Sequence, residues 1–422
     1  MATTKPYPLY PTIEALKAFQ LADYPHLEQI LRQESGIASQ DWHVKLWDYG
    51  KAFLLYTGKN KSEHSYTRFR NDVERFLLWS MLVKQENPLH FKKKEILEYV
   101  DFCWRPPVSW IALEISDRFT LKDGFYTVNE AWRPYRLTQQ GGDGKTKQSD
   151  QQTDKRKYRP SQQTLHALFT ALTAFYRYLL QEEYCLSNPA QLAKNDCRLI
   201  IKDAQVKVVK RLTQEQWQYL LATAKNLANH DPLYERNLFV IVSLKVLFLR
   251  ISELAESDYW QPVMGHFWQD EDGNWWLKVF GKGRKLRDVT VPQGYLNYLT
   301  RYRRWRGLSD LPSANENTPL LEKIRGQGGM TTRHIRRLVK TVLDDAFETM
   351  KNAKGEKLAK QLKEASSHWL RHTGASMEVE RGRALKDLSE DLGHASMATT
   401  DTIYVQTESK KRAQSGKART VD

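Results

Sequence analysis

The sequence predicts a mainly α-helical protein of two principal parts, with one small antiparallel β-sheet in the C-terminal half, an α+β arrangement. Three observations predict it. Apolar residues recur at helical spacing through most of the 422 residues. The period turns strand-like between residues 259 and 292, and a basic stretch without strong period near Gln205 to Arg211 divides the chain. Hydrophobic residues at 41%, with 13 Trp and 20 Tyr, supply packed cores and exclude wholesale disorder. No run approaches the roughly 18 apolar residues of a membrane span, and the polar start MATTKPYPLYPT lacks the regions of a signal peptide. The expectation is therefore a cytoplasmic protein. Cys103, Cys185 and Cys197 lack CxxC spacing, which argues against a disulfide framework or a Cys-rich zinc site. The formal net charge of +15 points toward a polyanionic partner, of which nucleic acid is the commonest in the cytosol.

The elements follow in order. Residues Thr12 to about Lys51 carry apolar residues at helical spacing, broken near Pro25 and Gly36, and predict two short helices. A helix from about Ser65 stops before Pro88, and another, FKKKEILEYVDFCW, is closed by Pro106 and Pro107. Residues 119–160 form the longest irregular region and end in a Gly-, Gln- and Lys-rich loop. Six Lys/Arg against three Asp over 141–160 give it net +3, which suits a solvated loop better than a phosphate contact. Leu165, Leu168, Phe169, Leu172, Phe175, Tyr176 and Leu179 then share one face of an amphipathic helix that closes with Asn188-Pro189. Residues 191–212 have no strong helical period and read as a linker.

Thr213 is the expected N-cap of the next helix, with Gln216 at the capping-box position. One apolar helix, NLFVIVSLKVLFLRISELA, comes next. Residues 259–292 read as strand, Asp-Gly turn, strand, short connection and strand, with Trp260, Trp268, Trp275 and Trp276 expected in the sheet core and not on a base-stacking platform. Helices are expected at Gln293–Arg306, Thr332–Asp345, Ala359–Trp369, Thr373–Val379, Leu385–Leu392 and Thr399–Val405. Two basic stretches stand out. Residues 281–306 hold eight Lys/Arg against one Asp, net +7, and TTRHIRRLVK adds Arg333, Arg336, Arg337 and Lys340, a distribution suited to a groove around a duplex.

Four stretches carry chemistry: LFLRISEL with Arg250, VFGKGRK with Lys282, SHWLRHTGASM with His368 and Arg371, and LGHASMATTDTIY with His394 and Tyr404. This ordered set resembles the tyrosine recombinase (phage integrase) family. That family's pattern is an Arg in a G-L-R-x-S-E-L-like helix, a Lys on a β-hairpin, H-x-x-R-H, L-G-H, and a nucleophilic Tyr about ten residues on. The resemblance covers nearly all of the chain after Thr213 and, more loosely, the helices from Ser65 to Gln191, which look like the family's core-binding domain. Three regions are expected on this basis: 1–60, a helical extension open to an accessory DNA-binding role; 61–204, a helical core-binding (SAM-like) domain with a basic loop near 140–160; and 205–422, the catalytic domain with a polar tail. Two departures matter. Phe248 stands where the family usually has Gly, and the longer path from Arg250 to Lys282 makes Lys285 a competitor for the lysine role.

The chemistry can also be built from the residues. A Tyr hydroxyl can attack a DNA phosphodiester and store the bond as a phosphoester, helped by a base such as His368. Two guanidinium forks, Arg250 and Arg371, can hold the nonbridging oxygens while charge develops. An ammonium on a hairpin, Lys282, can protonate the leaving 5′ oxygen, His394 can donate to a phosphate oxygen, and Glu253 can orient a neighbouring group. Plainer readings exist: Arg250 as a local partner of Glu253, Tyr404 as core, and His368 with His372 as an i, i+4 zinc pair, which the adjacent Arg371 disfavours. The resemblance implies a site-specific recombinase without cofactor or metal, acting on double-stranded DNA sites as two bilobed, C-shaped subunits per site and a tetramer per synapse. It leaves room for accessory DNA-bending or directionality factors, and it implies a prokaryotic, nucleoid-associated setting. The rivals are a type IB topoisomerase and a noncatalytic DNA-binding regulator.

Overall fold

The computed structural model describes residues 5–33, 42–60, 63–137, 154–201, 209–281, 285–393 and 416–417, in two compact units, Met1–Asp203 and Ala204–Asp422. The first unit contains α1 (Ile13–Lys17), α2 (Pro25–Gln33), α3 (Trp42–Asn60), α4 (Glu63–Trp79), α5 (Lys93–Trp104), β1 (Ile111–Ala112), β2 (Phe119–Lys122), β3 (Phe125–Val128), β4 (Tyr135–Arg136), α6 (Gln162–Gln181) and α7 (Pro189–Asp196). All seven apolar residues read on the amphipathic face of α6 are buried, and Ser161 caps its start by accepting from the Thr164 N–H at 3.1 Å. Tyr7, Leu9, Tyr10, Ile13 and Leu16 join the same core as α4 and α6.

The extended residues before α1 have no helix or ladder to satisfy their backbone, so side chains do it. The Leu9 and Tyr10 N–H groups donate to Glu74 at 2.6 and 3.2 Å, and the Trp47 indole N–H donates to the Leu9 carbonyl at 3.0 Å. Tyr66 and Arg70 donate to the Pro11 carbonyl at 2.9 and 2.7 Å. Glu74 is fully buried and is held by Arg118 Nη1, 2.7 and 2.6 Å from its two oxygens.

Several expectations are corrected in this unit. Residues 119–128, read as irregular, form a β2–β3 hairpin whose turn residues Asp123 and Gly124 both have positive φ, +52° and +83°. The Asp-Gly pair between FTLK and FYTV is the signal for that turn. Asn188-Pro189 does not close α6, which ends at Gln181; Asn188 caps α7, so the supposed linker 191–212 begins as helix. The expected break near Gly36 and most of the basic loop lie outside the described residues, as does 202–208.

The second unit contains α8 (Gln214–His230), α9 (Glu235–Val246), α10 (Ile251–Leu254), β5 (Phe267–Gln269), β6 (Trp275–Gly281), β7 (Lys285–Val291), α11 (Gln293–Trp305), α12 (Thr332–Lys354), α13 (Glu356–Glu364), α14 (Ser367–Glu380) and α15 (Leu385–Leu392). Thr213 and Gln216 cap α8 reciprocally, as expected. Every residue of α9 from Glu235 to Leu244 is buried, and α8, α11, α12 and α14 pack around it.

The single apolar helix expected across Arg250 is broken: α9 stops at Val246, Phe248 turns left-handed at φ +51°, and α10 starts after Arg250. The expected helix Ala359–Trp369 is likewise two, parted at Ala365 and Ser366, so His368 and Arg371 share α14 with Thr373–Val379. The sheet runs β5-β6-β7, antiparallel throughout. Its inner face presents Phe267, Leu277, Val279, Val289 and Val291 to the core, with Trp275 against it. Trp268 and Trp276 are not core residues; they stack on each other on the outer face, 6.1 Å between ring centroids, because alternation along each strand sends them away from Phe267 and Leu277. The Thr399–Val405 helix falls outside the described residues.

Replacing Glu74 by Gln should leave Arg118 without its counter-charge and weaken the tie to the first residues. Breaking a buried pair on one side costs about 3 kcal/mol or more. Hydrogen exchange at the Leu9 and Tyr10 amides of Glu74→Gln should accelerate by that margin relative to wild type; unchanged protection would contradict the role given to Glu74.

Candidate functional site

Arg250 and Arg371, from separate motifs, come together at the C-terminal end of α15, and His368 stands on α14 one turn before Arg371. Arg250 sits at the N-cap of α10. Its own N–H donates to Glu253 Oε2 at 2.7 Å, its Nη1 donates to Glu253 Oε1 at 2.9 Å, and its Nη2 donates to the Gly393 carbonyl at 3.3 Å. Arg371 is buried on α14 and donates to the Phe248 carbonyl and, at 2.5 Å, to the Leu392 carbonyl. Two guanidiniums from different helices thus reach carbonyls of consecutive residues. The last carbonyls of a helix carry partial negative charge, which suits cations there.

Phe248 explains part of this aim. Its left-handed backbone, which L side chains with a Cβ disfavour, ends α9 and presents the carbonyl that Arg371 uses. Its ring is buried with Ala375, Val379, Leu388 and Leu392.

A third guanidinium, which the sequence reading counted only among basic residues, completes the cluster. Arg287 on β7 donates from Nη1 and Nη2 to the two oxygens of Glu253 at 2.7 and 3.0 Å, and from Nε to the Asp391 carbonyl at 3.0 Å. Asp391 in turn accepts from the Thr290 N–H and hydroxyl at 3.0 and 2.6 Å and from Arg383 at 2.5 Å, fastening α15 to the edge of β7. The available signal was alternation: in β7, residue 287 falls on the inner face with Val289 and Val291, where a charge needs a buried partner.

Electrostatics follow from burial. Burial alone would raise the Glu253 pKa, but Arg287, by hydrogen bond and charge, with the Arg250 N–H and the Arg371 charge, brings it below the ordinary carboxylate range. Burial first, and then Arg250, push Arg371 down to about 9, which leaves it protonated at neutral pH. His368 lies three residues before Arg371 on α14, its side chain partly exposed. Burial, then Arg371 and Arg250, lower its pKa, so its neutral, proton-accepting form extends to lower pH than for a free imidazole. His372 meets His368 edge to face at 5.3 Å and is lowered to about 4 by burial, His368 and Arg371.

Lys282, His394 and Tyr404 lie outside the described residues. The chain on either side of 282–284 is fixed by the hairpin: Gly281 ends β6 opposite Lys285, which opens β7. Lys285 is exposed and, by alternation, belongs to the strand face of Arg287. The residue before His394 is Gly393, at φ +58°.

The basic stretch 281–306 proves mostly paired within the fold, contrary to its reading as a patch. Arg301 binds Glu235, Arg303 Glu316, Arg304 Asp310 and Arg306 Glu322, at 2.6 to 2.9 Å, and Arg287 binds Glu253. The first turns of α12 differ: Arg333, Arg336 and Arg337 are exposed at i, i+3 and i+4 on one face. No helix of the described residues is long and apolar enough to cross a membrane.

The phage integrase family profile matches residues 210–411. A tyrosine recombinase XerC from Halalkalibacterium halodurans is 26% identical over 256 residues, 59% of this chain and 73% of that protein. The XerC of Alcanivorax borkumensis is 28% identical over 259 residues, 60% and 72% of the respective chains. The fold is similar to that of a solved XerH site-specific recombinase bound to palindromic difH substrate in a post-cleavage complex, with TM-score 0.55, 15% identity, and coverage of 98% of this chain and 99% of that one.

Burial, the largest cause at His368, predicts a titration. By NMR the imidazole should titrate below about 6.5, the ordinary value. In Arg371→Gln, loss of one positive neighbour should move it upward but not restore it fully. A wild-type midpoint at or above the ordinary value would contradict the geometry.

Proposed function

Because the chain belongs to the tyrosine recombinase (phage integrase) family, whose members break and rejoin DNA, we propose that it is a site-specific recombinase that works through a 3′-phosphotyrosine on Tyr404. The observation that carries this reading is the convergence of Arg250 and Arg371 at one helix end, with Arg250 and Arg287 sharing the carboxylate of Glu253 and Arg371 held by carbonyls alone. Among the described residues of this cluster, three guanidiniums against one carboxylate leave two positive charges over. A DNA phosphate, whose nonbridging oxygens gain charge as phosphorus becomes pentacoordinate, fits that surplus.

In the proposed reaction the Tyr404 hydroxyl oxygen attacks phosphorus, and its proton passes to His368, whose lowered pKa keeps the imidazole neutral and able to accept a proton. The phosphorus–5′ oxygen bond breaks, and the leaving 5′ oxygen takes a proton from Lys282. The phosphoester to Tyr404 conserves the bond, so the 5′ hydroxyl of another strand can attack it and regenerate the tyrosine. Arg250 and Arg371 hold the nonbridging oxygens, and His394 donates to one of them. The substrate is double-stranded DNA, taken by subunits that assemble as a tetramer, in the service of integrating, excising or resolving a mobile element. The free row Arg333, Arg336 and Arg337 on α12 is the surface best suited to phosphates.

Two measurements test this. On a nicked suicide substrate the wild type should give a gel-stable covalent adduct, and Tyr404→Phe should lose the adduct while retaining DNA binding; an undiminished adduct rejects the nucleophile. Replacing the bridging 5′ oxygen by sulfur, which leaves unprotonated, should rescue Lys282→Ala, whereas rescue of Lys285→Ala instead would move the donor to that residue.

Binding supplies an independent expectation. The double variant Arg336→Ala, Arg337→Ala should lower the slope of log affinity against log salt by about 2. Arg304→Ala, whose guanidinium is spent on Asp310, should change it little. Equal effects would show that the internal pairs give way to DNA.

A further inference from the structure

The two glycines that immediately precede Lys282 and His394 face the same side chain. A Cβ on Gly281 would lie 2.9 Å from Arg287 Nη1, and one on Gly393 would lie 2.7 Å from Arg287 Cδ and 2.8 Å from Nε. Arg287 occupies the space that any larger residue at either position would need. Its side chain is 12% exposed, and Nε and both terminal nitrogens are committed to Asp391 and Glu253. Three of its five N–H donors are spent in these bonds, and the fork is held edge-on to Glu253 inside the fold.

We propose that Arg287 is a positioning residue for strand cleavage, a spacer between the end of β6 and the end of α15 that sets where the chain departs toward Lys282 and toward His394. A planar fork is required for this. Only a guanidinium can grip both oxygens of Glu253 and at the same time donate sideways to the Asp391 carbonyl; an ammonium supplies the charge without that geometry. Glu253 is in turn held against Arg250, so one residue ties the hairpin, α10 and α15 together. The inference rests on the reaction proposed above.

The test compares Arg287→Lys with wild type on ordinary and 5′-thio suicide substrates, alongside DNA affinity and melting temperature. A displaced donor costs rate: Arg287→Lys should cleave ordinary DNA about 100-fold more slowly, with affinity within about twofold, as expected for a misplacement near 1 Å. On the 5′-thio substrate, where no donor is needed, the deficit should shrink to about tenfold or less. No loss of rate, or an equal loss on both substrates accompanied by lost affinity and a lower melting temperature, would reduce Arg287 to a structural role and overturn the proposal.

A double-mutant cycle gives a second decision. Gly281→Ala should slow cleavage in the wild-type background and cost far less beside Arg287→Ala, where the guanidinium is gone; additive losses overturn the spacer. Tyr404→Phe and Lys282→Ala serve as reference arms. If Lys282→Ala fails to be rescued by sulfur, the donor assignment is wrong, and Arg287 is then judged by the cycle alone.

Discussion

Three guanidiniums around one buried carboxylate set the terms for the second unit. Arg250, Arg287 and Arg371 would repel one another in a space so poor in water, and Glu253, 1% exposed, is the anion that lets the first two sit side by side. The carbonyls of Asp391, Leu392 and Gly393 each accept from a different arginine. Local structure obeys this cluster. Arg250 starts α10, Arg287 fixes the inner face of β7, and the end of α15 cannot shift without breaking three hydrogen bonds to three elements. Among the described residues, a net surplus of cation persists after all this pairing.

The first unit solves a different problem by similar means. Its opening residues are extended and would leave backbone groups bare in an apolar core. Glu74, Trp47, Tyr66 and Arg70 each accept from or donate to that backbone, so polar side chains stand in for a missing ladder.

Much of this was legible in the residues, and the misses have physical causes. Helix faces such as Leu165 to Leu179 and the cap at Thr213 depend on nearest neighbours in sequence, which a pattern records. The break at Phe248 does not, because a left-handed phenylalanine is imposed by what its carbonyl and ring meet from α14 and α15. The join at Ala365 and Ser366 carries neither Gly nor Pro to announce it. Motif spacing singles out Arg250, His368 and Arg371 as candidates, and the fold brings Arg250 and Arg371 to one helix end. Arg287 was not singled out, since a count of charges cannot tell an arginine aimed at solvent from one aimed at a buried glutamate. The same blindness made 281–306 look like a basic surface, although most of its arginines are neutralised by acids such as Glu235, Asp310 and Glu316, and Asp310 and Glu316 lie only a few residues beyond the segment.

Phe248 gives the cluster its seclusion. A left-handed backbone costs a residue of this kind on the order of 1–2 kcal/mol that glycine would not incur. In return the aromatic ring seals the seam where α15 rests on α14, with Arg383 lying over it at 5.9 Å. Water is kept from the hydrogen bond between Arg371 and the Phe248 carbonyl, and a bond shielded in this way resists exchange with solvent. The ring thus acts as a gasket over the bond that orients Arg371, and a glycine here would relax the backbone while opening that joint to solvent.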